Sequence, residues 1–264
     1  MASALANDGV RIHYDVIGEG PLSIVLLHGW GGSAAYWGPL VSQLDMAGLQ
    51  VISLTYRGHG DSDKPATGYT LDQFAEDIVT VADTAGARKF VLVGYSMSGK
   101  FAQYVAAIYP ERTLGLVLIA PVPASDFPIP AEVGKAWCNS QSSREVAFQT
   151  IVAPFVTIPI PKERTEAFLD DFQKAKHTAL EQTLVMCSVS FVGKVRQVHA
   201  PTLVLAGIHD PLLPPDFLRK TILSQIVGAR MTKLPCNHEI PQEMPEHAAA
   251  LLEAFLCGIC IDQA

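Results

Sequence analysis

Five short apolar runs punctuate this chain: LSIVLLHG (22–29), LQVISL (49–54), KFVLVG (89–94), LGLVLIA (114–120) and PTLVLAG (201–207). Each has the length of a strand, and continuous apolarity is what a strand buried on both faces requires. Longer segments of helical period separate them, at 71–84, 98–109 and, less regularly, 34–44. Strands alternating with helices predict an α/β fold class: a mostly parallel sheet with helices on both faces. VRIHYDVIG (10–18) instead alternates and stops at a glycine, so it reads as an edge strand. Thr70 with Gln73 three residues on reads as a capping box opening the 71–84 helix. A helix around 215–226, a strand at 229–235 and a last helix from 245 to 257 complete the pattern.

The rhythm breaks once. Residues 122–198 contain no clear buried strand, several prolines, two amphipathic stretches (143–153 and 162–185) and the aromatic residues Phe127, Trp137, Phe148, Phe155, Phe168, Phe172 and Phe191. The simplest account is one core domain, residues 1–121 and 199–264, interrupted by a helical cap or lid over 122–198. An apolar fraction of 49 % is ample for that core.

Composition excludes several classes. Net charge is −7 with no Lys/Arg cluster, so no nucleic acid partner is expected. No apolar run approaches the roughly 18 residues of a membrane span. The opening MASALANDGVRIHY has neither a basic n-region nor a sustained apolar stretch, so no signal peptide is expected. Five cysteines, an odd number, argue against a disulfide framework and for a cytoplasmic, reducing setting. Cys257 and Cys260 form a CxxC with no second pair, which reads as two small apolar residues on a terminal helix rather than a zinc site.

The chemistry gathers at VLVGYSMSGK (91–100). A serine hydroxyl is a poor nucleophile unless a base takes its proton and donors hold the resulting oxyanion. A sharp turn between a central strand and a helix supplies both exposure and a helix N-terminal N–H aimed at the developing charge. Gly94 lies two before Ser96, which puts Ser96 at the apex. Ser98, two later, is the small packing residue at the helix start. Such a site needs an acid and then a histidine, each in a loop after a later strand. GIHDPLLPP after strand 201–207 supplies Asp210, and CNHEIP after strand 229–235 supplies His238. The loop HGWGG (28–32) supplies the Trp30 N–H, to act with the Met97 N–H as the oxyanion pair. Trp30, Tyr95 and Trp137 are the side chains expected against substrate. Asp61 and Asp63 are expected to order their glycine-rich loop, and His28 to support the oxyanion loop.

HGWGG, YRGHGDSDKP, VLVGYSMSG, the Asp210 loop and NHEIPQEMPEHAAALLEAFL together resemble the α/β-hydrolase fold superfamily, most closely its small esterase, perhydrolase and cofactor-free haloperoxidase branch. The resemblance runs from about residue 10 to 257 and implies a helical lid in the insertion. It implies a serine hydrolase acting on a small apolar carboxylic ester or lactone, with no metal or organic cofactor. Perhydrolase or carbon–carbon bond cleavage with the same triad stays open. Ser96 departs from the aspartate that dehalogenases and epoxide hydrolases of this fold carry at the elbow. Ser98 departs from the usual last glycine of G-x-S-x-G and resembles the hydrolase-like plant hormone receptors, so slow-turnover ligand sensing is the alternative. Asp126 is an alternative triad acid, since some members draw theirs from that loop.

Overall fold

A computed structural model of the chain describes residues 2–262, with side chains through Ile259. Eight strands form one sheet: β1 (Ala2–Leu5), β2 (Arg11–Ile17), β3 (Leu22–Leu27), β4 (Leu49–Leu54), β5 (Phe90–Tyr95), β6 (Thr113–Ile119), β7 (Thr202–Gly207) and β8 (Arg230–Leu234). Their order is β1-β2-β4-β3-β5-β6-β7-β8; the pairs β1–β2 and β2–β4 are antiparallel and the remaining pairs are parallel, so β2 alone runs against the others.

The apolar runs serve two faces at once. In β3, Val25 and Leu27 join the core on one side, while Ile24 and Leu26 join the other. The same split divides Phe90 and Leu92 from Val91 and Val93 in β5. Period-two alternation puts neighbouring side chains on opposite faces, so a strand covered twice has no polar positions to spare. Behind β3 lies α1 (Gly38–Val41), a single turn preceded by a 3₁₀ turn, where the sequence pattern suggested a longer helix. Two long helices, α2 (Leu71–Thr84) and α3 (Met97–Ile108), cover the first face through Phe74 and Phe101.

Three sequence expectations are corrected. The strand at 10–18 is not an edge, because β1 pairs along it and becomes the edge itself. The capping box is half formed: Thr70 Oγ1 accepts from the Gln73 N–H, but the Gln73 amide turns to Asn7, Glu76 and Asp77. The stretch 162–185 is two helices, because Ala175 and Lys176 adopt extended backbone between them.

Between β6 and β7 the described residues contain helices and no strand. These are α4 (Ala131–Asn139), α5 (Arg144–Ala147), α6 (Lys162–Lys174), α7 (His177–Cys187) and α8 (Val192–Val195). They have a small core of their own, built on Cys138, Ile151, Leu169, Phe172 and Leu180, against which Trp30 packs. Polar bonds tie this layer down. Trp30 Nε1 donates to the Leu180 carbonyl, Ser33 Oγ to Asp171, and the Lys176 N–H to the Gly58 carbonyl. Lys100 Nζ, buried on α3, donates to the Ser125 and Cys187 carbonyls. The chain then returns through α9 (Pro215–Leu218), which continues as a π turn, and closes with α10 (Ile240–Glu243) and α11 (Pro245–Asp262). Leu252 and Leu256 of α11 cover the second face. Cys257 is exposed on that helix, and the side chain of Cys260 lies outside the described residues. Among the described residues no helix is long and apolar enough to cross a membrane.

Candidate active site

Ser96 stands between the last residue of β5 and the first of α3, with φ 54° and ψ −122°. Left-handed backbone at a non-glycine residue is strained and survives only where the surroundings fix it. Here they do. The Ser96 N–H donates to the Ile119 carbonyl, and the Ser96 carbonyl accepts from Gly99 and Val122. The turn is tight enough that a Cβ on Gly94 would meet the Ser98 carbonyl oxygen at 2.5 Å and Ala102 Cβ at 2.8 Å. At Gly99 a Cβ would meet Pro121 Cβ at 2.3 Å. The close approach therefore falls on Gly94 and Gly99, leaving room for a hydroxyl at position 98. Ser98 is fully buried, and its Oγ donates to the His28 carbonyl at the end of β3.

His238 lies in the loop after β8, its Nε2 2.9 Å from Ser96 Oγ and its Nδ1 2.7 Å from Asp210 Oδ2. Nδ1–H donating to the carboxylate leaves Nε2 free to accept the serine proton. The loop after β7 holds Asp210 in turn: its Oδ1 accepts the N–H groups of Leu212 and Leu213. Burial raises the Asp210 carboxyl, but the His238 charge and hydrogen bond, with those two amides, outweigh it and hold the carboxyl below its ordinary value. Burial lowers the His238 imidazole; the Asp210 charge and hydrogen bond, with Glu239 and Glu243, more than offset that, so the imidazole sits above its ordinary value. Asp126, by contrast, is exposed on the loop after β6, and the His238 Nδ1 is held by Asp210.

The loop after β3 brings Trp30 over the serine. Among the described residues neither the Trp30 nor the Met97 backbone N–H has a protein acceptor. His28 shapes that loop: Nδ1–H donates to the Gly29 carbonyl at 2.7 Å, and Nε2 accepts the Tyr56 N–H at 3.1 Å. Burial, helped by nearby His59, pushes the His28 imidazole down to about 3, so this neutral arrangement persists at working pH. Asp63 bonds Arg11 through backbone and guanidinium and so orders its loop, whereas Asp61 is exposed.

A cleft of about 520 Å³, its open mouth included, lies over Ser96 and His238. Trp30, Tyr95 and Trp137, the side chains expected against substrate, all line it. So do Tyr36, Ile151, Phe155, Phe168, Leu212 and Glu239, which sequence reasoning did not single out. Phe155 and Phe168 were visible only as two of the insertion's aromatic residues; Phe172 turns inward to its core while they face the cleft.

A profile of the family described as alpha/beta hydrolase fold matches residues 23–238, most of the chain. The chain belongs to the α/β-hydrolase fold family. This α/β hydrolase is 26 % identical over 231 residues to a non-heme chloroperoxidase of Streptomyces lividans, covering 81 % of this chain and 84 % of the relative. In structure it is similar to an esterase from Exiguobacterium antarcticum, with a TM-score of 0.87 at 22 % identity over 96 % of this chain and 98 % of the other. It is also similar to Est816, an N-acyl homoserine lactone degrading enzyme, with a TM-score of 0.77 at 25 % identity over 96 % of this chain and all of the other (100 %). In the hydrolase, the residues that sequence order assigned to separate loops meet at the C-terminal ends of β5, β7 and β8.

Proposed function

We propose that this hydrolase cleaves a carboxylic ester or lactone with an apolar portion through an acyl-enzyme on Ser96. The observation that carries the reading is His238 held between Ser96 Oγ at 2.9 Å and Asp210 Oδ2 at 2.7 Å. Ser96 Oγ attacks the carbonyl carbon as His238 Nε2 takes its proton. Asp210 holds the imidazole in the Nδ1–H tautomer and stabilises the cation that forms. The Trp30 and Met97 N–H groups hold the oxyanion, each contributing about 3 kcal/mol to the transition state. Collapse breaks the ester bond, and the proton on Nε2 leaves with the alcohol oxygen. Water then gives a proton to Nε2 and attacks the acyl carbon, releasing the acid and restoring Ser96. In this reading residues 122–198 form the lid that supplies Trp137, Phe155 and Phe168 to an apolar substrate.

A hydrolysis panel of esters of graded length, lactones, thioesters and amides tests it, with Ser96→Ala and Ser98→Ala run beside the parent. Ester and lactone turnover abolished by Ser96→Ala supports the reading. Full turnover in Ser96→Ala with loss in Ser98→Ala would sink it.

A further inference from the structure

The cleft lining includes a carboxylate that the proposed reaction does not use. Glu239 follows His238 directly, lines the same cleft, and also lines a second chamber of about 290 Å³ that shares Tyr36 and Phe168 with the first. Other carboxylates withdrawn from water in this protein are answered in full. Asp77 is paired with Arg57 through two hydrogen bonds. Glu243 accepts the N–H groups of Thr157, Ile158 and Asn237. Asp210 holds His238 and two amides.

Glu239 has much less. The Tyr36 hydroxyl donates to its Oε2 at 2.8 Å, and among the described residues no lysine or arginine charge answers it. Tyr95, its ring stacked on Tyr36 at 4.9 Å, brings a second hydroxyl toward the carboxylate, His238 favours its charged form, and apolar Phe168 lies on the same cleft wall. Burial raises its carboxyl above the ordinary value, against the opposing pull of the His238 charge and the Tyr95 and Tyr36 hydroxyls. Glu239 is half-buried and keeps part of its surface on the cleft, where a ligand can bring a further donor to a carboxylate that accepts several.

We infer that Glu239 is a specificity-determining residue: the non-reacting end of the substrate carries a hydrogen-bond donor, an ammonium or a hydroxyl, that docks on its carboxylate. This deepens the serine-hydrolase reading and rests on it. A carboxylate at that end meets like charge and is disfavoured. Arg164, which lines the second chamber and donates to the Gln242 carbonyl at 3.4 Å, is the cation that would reverse this preference if it reached the ligand.

The test compares p-nitrophenyl hexanoate with its ω-hydroxy and ω-amino counterparts and with the adipate half-ester, using the parent, Glu239→Gln and Glu239→Leu. In the parent, kcat/KM favours the ω-amino ester over hexanoate by about tenfold or more, the range of a hydrogen bond to a charged group. Glu239→Gln removes the ammonium preference and keeps part of the hydroxyl preference; Glu239→Leu removes both. Equal rates in the parent, a preference that survives in both variants, or an adipate half-ester preferred over hexanoate would each overturn the inference. The rise in Tm given by hexanamide and its ω-hydroxy and ω-amino counterparts reads occupancy without turnover. Absent Ser96-dependent hydrolysis of hexanoate would therefore count against the serine-hydrolase reading, while the Tm ordering still decides the role of Glu239.

Discussion

In the proposed serine-hydrolase reading, His238 carries the pH dependence of the reaction. It acts as a base only when neutral, and its imidazole sits above its ordinary value because Asp210 outweighs the penalty of burial. Activity therefore falls as pH drops through a point above the unperturbed value of roughly 6.5. A pH profile of kcat/KM on a neutral ester checks this, and a flat profile across the acid limb would contradict it. Asp210→Asn should move the limb downward and cut kcat by on the order of 10⁴, the scale of losing the correct tautomer. Ser96→Ala should cost on the order of 10⁶ in kcat, whereas Ser98→Ala should still be labelled by an acylating or phosphonylating probe. The three triad positions were legible in sequence because their order and loop placement constrain one another. Glu239 was not: beside a loop histidine, a glutamate reads as a solvated surface charge. Only the folded chain shows that it faces a cleft beside the phenols of Tyr36 and Tyr95, with no lysine or arginine against it among the described residues.

At the scale of elements, the elbow depends on how closely α3 passes β5. Gly94→Val would drive a side chain into the Ser98 carbonyl and Ala102. Loss of labelling at Ser96, with Tm lowered, is the expected outcome; full labelling would mean that the helix shifts freely. A second joint lies under the loop at 56–65. Arg57 is wholly buried, with Nε and Nη2 on Asp77 of α2 and Nη1 on Asp8. Asp77→Ala strands that guanidinium and should lower stability by about 3–5 kcal/mol, read by urea unfolding. Strands β3 to β7 were legible because burial on both faces leaves an unmistakable apolar run. The four-residue β1 was not, since ASAL carries no alternation and is fixed by pairing with Arg11–Tyr14. The break at Ala175–Lys176 was equally hidden: both residues suit a helix, and what unwinds them is the Lys176 N–H reaching the Gly58 carbonyl.

For the whole molecule, specific hydrogen bonds join the sheet's loops to residues 122–198, and one set bears on how such proteins diversify. Glu243, on the short helix after His238, accepts the Thr157 and Ile158 N–H groups from the insertion and the Asn237 N–H from the loop that carries the histidine. That carboxylate thus joins the 157–158 segment to the histidine loop, and the Phe155 carbonyl, which accepts the His238 and Glu239 N–H groups, joins them again. A foreign sequence grafted between residues 122 and 198 keeps these bonds only if it presents two free amides to that carboxylate and a carbonyl to the histidine loop. The stretch around 155–158 is then the part of the insertion least open to exchange, however freely the helices on either side of it are replaced.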